Sequence, residues 1–369
     1  MNRSEEFAVK RERVERYMAR QGLAGVLLGR CDSFAWLGCG ASNVVNAAQE
    51  AGVGAFVVRP GKVTLVTNNI EAGRLMTEEL AGLEVAGPEV FPWHRPSERA
   101  LIIERLAGGS AFAADDGTPG LAGLPAEFTR LRYSLTEPEV ARYRMLGRDA
   151  SAVMEAAAVA VEQGMTEADV AALLAMGARQ AGIVPVVLLV AADERILNWR
   201  HPVVKDTPVG RCVMMATCGR RQGLVAALTR LVHFGEPSDD LKRRHRAVCA
   251  VDAAMMAATK PGTPAADVLA RAQKAYAAGG FPDEWLLHHQ GGAIGYRPRE
   301  YIVTAECAET VRRDQAFAWN PSVRGTKSED TILVGPQGFE LLTAPSPAWP
   351  VMEAEAAGHA VPRPDILVR

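Results

Sequence analysis

The chain has 369 residues, 48% of them apolar and 23% charged, with a formal net charge of −2. A length of this order divides into two or three domains, or one large and one small, and the near-neutral charge excludes a chain built mainly around nucleic acid or an anionic membrane. No apolar run approaches the roughly 18–20 residues that cross a bilayer.

In chain order, residues 1–21 are charged and helical in pattern, with no apolar signal-peptide core. An amphipathic helix is expected over 5–22. Residues 23–29, 54–61 and 62–68 read as buried strands separated by turn signals. Their alternation with helical stretches at 70–82 and 97–106 predicts a small α/β domain over residues 1–133. Thr136 is placed to cap a long helix that carries Pro138 in its first turn. A second domain is expected over 134–345. Residues 346–369 are rich in Pro and Ala and read as an extended tail, docked through Trp349 and Ile366-Leu367-Val368.

The second domain contains an internal echo. Gln163-Gly164-Met165-Thr166-Glu167-Ala168-Asp169-Val170 ends one Ala-rich helix and opens another. Pro261-Gly262-Thr263-Pro264-Ala265-Ala266-Asp267-Val268 does so 98 residues later. Each has a helix stop followed by an acidic first turn, which suits the helix dipole. Either two similar helix junctions or a duplicated half would produce this pattern.

Six cysteines (Cys31, Cys39, Cys212, Cys218, Cys249, Cys307) lack CxxC spacing. That argues against a structural zinc site or a disulfide framework and fits a reducing cytoplasm. Cys218 is expected to be buried and inert. His245, in Asp240-Leu241-Lys242-Arg243-Arg244-His245, is expected on a solvated charged face, and Trp199 and Trp319 in the core.

Three stretches in 212–343 share one frame. The first has Ala216, then Ala227 eleven residues on, then Leu228-Thr229-Arg230 and Gly235. The second is His288-His289-Gln290-Gly291-Gly292-Ala293-Ile294-Gly295, followed by Arg299-Glu300. The third has Asn320-Pro321, Lys327, Glu329 and Asp330, closed by Gly338, Glu340, Leu342 and Thr343. In this order they resemble the catalytic domain of the pita-bread family, the M24 peptidases, which includes aminopeptidase P, prolidase and creatinase. The first 133 residues, with Phe34-Ala35-Trp36-Leu37-Gly38 in place of a family strand, resemble the smaller domain of prolidase and creatinase. The resemblance implies an α/β (α+β) chain and a homodimer.

It also exposes four substitutions. Where the peptidases place metal-binding Asp, Asp, His and Glu, this chain has Ala216, Ala227, Gly292 and Asn320. Glu329 alone remains. Two divalent cations need several anionic or imidazole ligands to offset their dehydration. The expectation is therefore no metal and no cofactor. Creatinase is the family's metal-free precedent, and His201 matches its acting histidine. Its two glutamates are replaced by Thr229 and Asn320, so creatine itself is not the expected substrate.

Three functions stay open. The first is a metal-independent hydrolase acting on a C–N bond of a small carboxylate-bearing amino-acid or peptide-like substrate. In that reading His201, His288 and Glu329 are catalytic. Arg200, His289, Gln290, Tyr296, Arg299, Asn320 and Lys327 bind substrate. The second is an inactive relative serving as a peptide- or protein-binding module, as in the histone-chaperone relatives of the fold. The third is a single metal ion held by His288, His289 and Glu329.

Overall fold

A computed structural model describes residues 1–356 and 358–369. Two compact units divide it, Met1–Val140 and Ala141–Arg369.

In the first unit, α1 (Arg3–Gln21) opens with a capping box between Asn2 and Glu5 and stops at Gly22, at φ 66°. Its buried face carries charge as well as apolar side chains. Lys10 lies 2.7 Å from Glu6 and 2.8 Å from Glu139, all three fully buried. The sheet runs β4-β3-β2-β1-β5-β6, from β1 (Gly25–Arg30), β2 (Ala51–Arg59), β3 (Lys62–Asn68), β4 (Val85–Phe91), β5 (Phe112–Ala114) and β6 (Ala122–Gly123).

One expectation needs correction here. Residues 34–37 lie in helix α2 (Cys31–Leu37), not in a strand. Every residue of α2 is buried, and the apolar run over 34–37 has no periodicity to separate the two states. The stretch 70–82 is helical over 72–79, as α3 (Ala72–Arg74) running directly into a π-helical turn over Leu75–Glu79. Only Leu75 and Leu80 there are buried. The other stretch is α4 (Ser97–Ala107).

The second unit takes in most of α5 (Glu137–Ala160), whose first turn is held by Thr136, its N–H and hydroxyl both donating to Glu139 Oε2. Then come α6 (Glu167–Gln180), β7 (Val184–Ala192), α7 (Glu194–Asn198), β8 (Cys212–Arg221) and β9 (Leu224–His233). Helices α8 (Asp239–Ala258) and α9 (Ala265–Ala278) follow. The remaining strands are β10 (Gly291–Ile294), β11 (Tyr301–Ile302), β12 (Ala316–Trp319), β13 (Ser322–Val323), β14 (Thr326–Lys327), β15 (Asp330–Val334), β16 (Phe339–Leu341), β17 (Val351–Ala356), β18 (His359–Pro364) and β19 (Leu367–Val368). Among the described residues two larger sheets result, β19-β9-β8-β7 and β11-β10-β12-β15-β16, with the two-stranded β13-β14 and β17-β18 beside them. Val248, Met255, Tyr276, Phe317 and Trp319 anchor the main core between α8, α9 and the second sheet.

The echo has a structural counterpart. Gly164 and Gly262 adopt φ 89° and 88°. The Gly164 N–H donates to Val209 O and the Gly262 N–H to Val311 O, both at 2.9 Å. Thr166 bridges Pro208, and Pro264 bridges Thr310. The same backbone junction thus occurs twice.

Residues 346–369 are built into the second unit. β17 and β18 form a hairpin, and β19 extends the first sheet beside β9. Trp349 and Ile366 are buried. His245 is not solvated: it is 3% exposed, with Nδ1 2.7 Å from Thr326 Oγ1 and Nε2 3.2 Å from Pro364 O. The returning β18 covers a helix face that its charged neighbours made look wet. Trp199 is 56% exposed and Trp319 fully buried, so only one of the two is core.

Candidate active site

A cavity of about 310 Å³ opens in the second unit. β7 contributes Val187 and Leu189, β8 contributes Ala216, Thr217 and Cys218, and the loop before β11 contributes Pro298 and Arg299. Asn320, Lys327 and Glu329 close its floor, and His201 and His289 stand at its polar side. Two-residue spacing puts Val187 with Leu189, and Ala216 with Cys218, on one face of their strands.

Glu329 is the centre of charge. Its Oε2 accepts from Lys327 Nζ at 2.6 Å and Thr229 Oγ1 at 2.7 Å. Its Oε1 accepts from Arg299 Nη2 at 3.3 Å. Burial alone would raise its pKa, but Lys327 and Arg299 override burial and hold it at about 2. One carboxylate between two cations leaves the floor net positive.

Three imidazoles converge beside it. His288 Nε2 lies 3.1 Å from His201 Nε2 and 3.4 Å from Asn320 Nδ2. His288 Nδ1 lies 3.0 Å from Ser322 Oγ, which also accepts from Arg200 Nη1 at 3.1 Å. His289 packs against both other rings, with centroids 4.8 and 5.6 Å away. Burial, then Lys327, lowers the pKa of His201 and depresses that of His288 far more. Burial and Arg299 lower His289 to about 4. All three rings are therefore neutral at neutral pH.

The other sequence-predicted residues stand outside the cavity wall. Arg200 is paired with Glu284 and Ser322. Gln290 is a buried brace: Oε1 accepts from Tyr276 Oη at 2.9 Å, and Nε2 donates to His288 O at 2.6 Å. Tyr296 is buried, and its backbone N–H donates to Glu300 Oε1. Sequence reasoning missed Ser322, Tyr276, Val187 and Leu189. β7 is apolar throughout, so nothing in its sequence singles out the last two. Cys218 is buried, and its thiol is pushed up to about 11 by burial and by Glu329, so it is no thiolate.

The family's two-metal centre does not fit these residues. Ala216 and Ala227 offer no ligand atom. Both oxygens of Glu329 are already held by protein donors. At Gly292 a Cβ would stand 2.1 Å from Tyr301 O, so the backbone has closed over the place of the missing histidine. Gly291 is equally confined, at φ 97° with Ala318 O 2.2 Å from a would-be Cβ. Among the described residues, the group that could hold an ion is His201, His288 and His289, whose ring nitrogens lie within 4.8 Å of one another.

The sequence profile of metallopeptidase family M24 matches residues 141–336. The chain belongs to metallopeptidase family M24. An uncharacterized peptidase of Staphylococcus aureus strain MW2 is 24% identical over 223 residues, covering 58% of this M24 chain and 63% of its own length. The match thus spans less than two thirds of that curated relative. The X-Pro aminopeptidase from Thermotoga maritima MSB8 has a TM-score of 0.75 at 18% identity, covering 97% of this chain and 99% of its own. A dipeptidase from Mycobacterium ulcerans has a TM-score of 0.77 at 20% identity, covering 99% and 98%. These likenesses show the pita-bread fold. No described helix of this M24 chain is long and apolar enough to cross a membrane.

Proposed function

We propose that this M24 chain hydrolyses a C–N bond in a small carboxylate-bearing amino-acid or peptide-like substrate without the family's dinuclear centre. The observation that carries the reading is the His201–His288 contact at 3.1 Å beside a net-positive, carboxylate-centred floor. His288 donates from Nδ1 to Ser322 Oγ, which leaves its Nε2 to accept from His201 Nε2–H. His201 Nδ1 is then the basic atom. It takes a proton from the water that attacks the carbonyl, His288 steadies the imidazolium that forms, and the imidazolium returns that proton to the leaving nitrogen as the C–N bond breaks. Lys327 and Arg299 attract the substrate's carboxylate and oppose negative charge developing on the attacked carbonyl oxygen. Glu329 holds both cations in place. In this reading Gln290 and Tyr296 brace the site rather than touch substrate.

A homodimer and a cytoplasmic setting belong to the same proposal, the first from the two-domain relatives and the second from six free cysteines. A second reading has its own observation, since three neutral imidazoles with a side open to the cavity suit a single zinc-like ion.

One experiment separates the readings. The purified chain is treated with chelator, its metal content is measured, and N-acyl amino acids and dipeptides are assayed for turnover. Turnover at substoichiometric metal is expected, and is lost in His201→Ala. Turnover only with one bound ion per chain would overturn the metal-independent reading in favour of the trihistidine site. Peptide binding without any turnover would leave a binding module.

A further inference from the structure

One face of β7 and β8 changes character along its length. Residues directly opposite on antiparallel strands share a face. Ala191 pairs with Met214, Leu189 with Ala216 and Val187 with Cys218. At one end Ala191 and Met214 are packed with Ile196, Leu231 and Ile366 into a buried cluster. Further along, the same face turns from core to cavity. Val187, Leu189, Ala216 and Cys218 line it, and Val187 and Leu189 are only half-buried. Cys218 belongs with the other three, because burial keeps its thiol neutral. An apolar face open to a cavity gains from an apolar ligand what its buried end gains from Ile196 and Leu231. Size and charge narrow the occupant. The cavity, at about 310 Å³, has twice the volume of one that holds a benzene. That space takes a phenyl or branched aliphatic group together with a carboxylate and the atoms between them. The floor of the same cavity is net positive, with Lys327 and Arg299 around Glu329, so an anion belongs there and an apolar group on the sheet.

We propose that the face made by Val187, Leu189, Ala216 and Cys218 is a subsite for a compact apolar group, branched aliphatic or phenyl, on the carboxylate-bearing substrate. The inference names the substrate class of the proposed hydrolase and rests on that reading for its purpose, although its test reads binding and not turnover. The apolar group lies against Ala216, where the family resemblance places a metal-binding aspartate. The space freed by that lost side chain is thus the specificity pocket, and a longer side chain at 216 closes it. A polar group seated there leaves its oxygen facing four side chains that cannot pair with it.

The test is calorimetric titration of the chelator-treated full chain with 4-methylpentanoate and 4-oxopentanoate. The two have nearly the same shape, differ by a methyl group against a carbonyl oxygen, and contain no C–N bond to turn over. 4-Methylpentanoate is expected to bind about tenfold tighter or better, the factor that one buried unpaired carbonyl gives. Ala216→Leu should weaken 4-methylpentanoate at least about tenfold by filling its seat. Leu189→Asn, on the neighbouring strand, should collapse the preference, and it carries the test should Ala216→Leu not fold. Equal binding of the pair, no binding of either, or a folded variant that binds both as the parent does overturns the inference. Preference for 4-methylpentanoate without turnover of any N-acyl amino acid would leave it standing while the hydrolase reading fails. Turnover with equal binding of the pair would do the reverse.

Discussion

Glu329 keeps its carboxylate in exchange for new partners: two fixed protein cations and a threonine hydroxyl. Removing one partner of a buried pair strands the other, whereas removing both is far milder. Glu329→Gln leaves the buried Lys327 without its carboxylate and should therefore cost about 3–5 kcal/mol of stability and abolish turnover. Lys327→Met combined with Glu329→Gln should recover much of that stability and none of the activity. A double-mutant cycle read by urea denaturation checks this, and additive losses would refute the coupling. The four replaced ligands were legible because a motif frame flanks each one. The three imidazoles were assigned to one site, but their mutual contact was not foreseen. Alternation puts neighbouring strand side chains on opposite faces, but His288 and His289 precede β10 and lie in a loop, where both rings can turn toward His201. Ser322 and Tyr276 carry no signature, because what they do depends on elements brought together only by folding.

Elements reached from the far end of the chain support the same floor. Arg363, in β18, lies 2.7 Å from Asp252 of α8 and 2.6 Å from Asp330 of β15, all fully buried. Asp330 also takes Arg230 Nη2 at 3.0 Å, so one cluster ties β9, β15, α8 and the returning hairpin. Burial raises Asp252 to about 6 despite Arg363. Arg363→Ala leaves that carboxyl without its cation and should cost about 3–5 kcal/mol, read as a lowered urea midpoint. A variant with unchanged midpoint would mean that residues 346–369 pack without supporting the core. From sequence these residues look like a loose tail because proline-rich segments seldom announce a hairpin. The duplicated junction was easier, since Gly164 and Gly262 each fill a left-handed backbone position that few other residues tolerate. Helix α2 was harder, because uniform burial erases the period that separates helix from strand.

At the scale of the molecule, four imidazoles are held below their ordinary pKa by burial: His201, His245, His288 and His289. Each binds fewer protons folded than unfolded between its lowered value and the unfolded one near about 6.5. Their contribution is complete above that unfolded value and is lost as pH falls below it. Asp115 and Asp252, raised by burial, act in the opposite sense. Four groups oppose two, and above pH about 6, the value reached by Asp252, the imidazoles dominate. Glu329, held at about 2, keeps its own contribution until far lower pH. The melting temperature should therefore drop by roughly 3 °C or more between pH 7.5 and 5.5. Turnover should show an acid limb over the same range, as His201 gains the proton it must be free to accept. Scanning calorimetry across that interval, repeated on His288→Gln/His289→Gln, decides the point. The double variant should flatten the dependence, because glutamine cannot titrate. An equally steep curve would place the acid sensitivity outside the imidazole cluster.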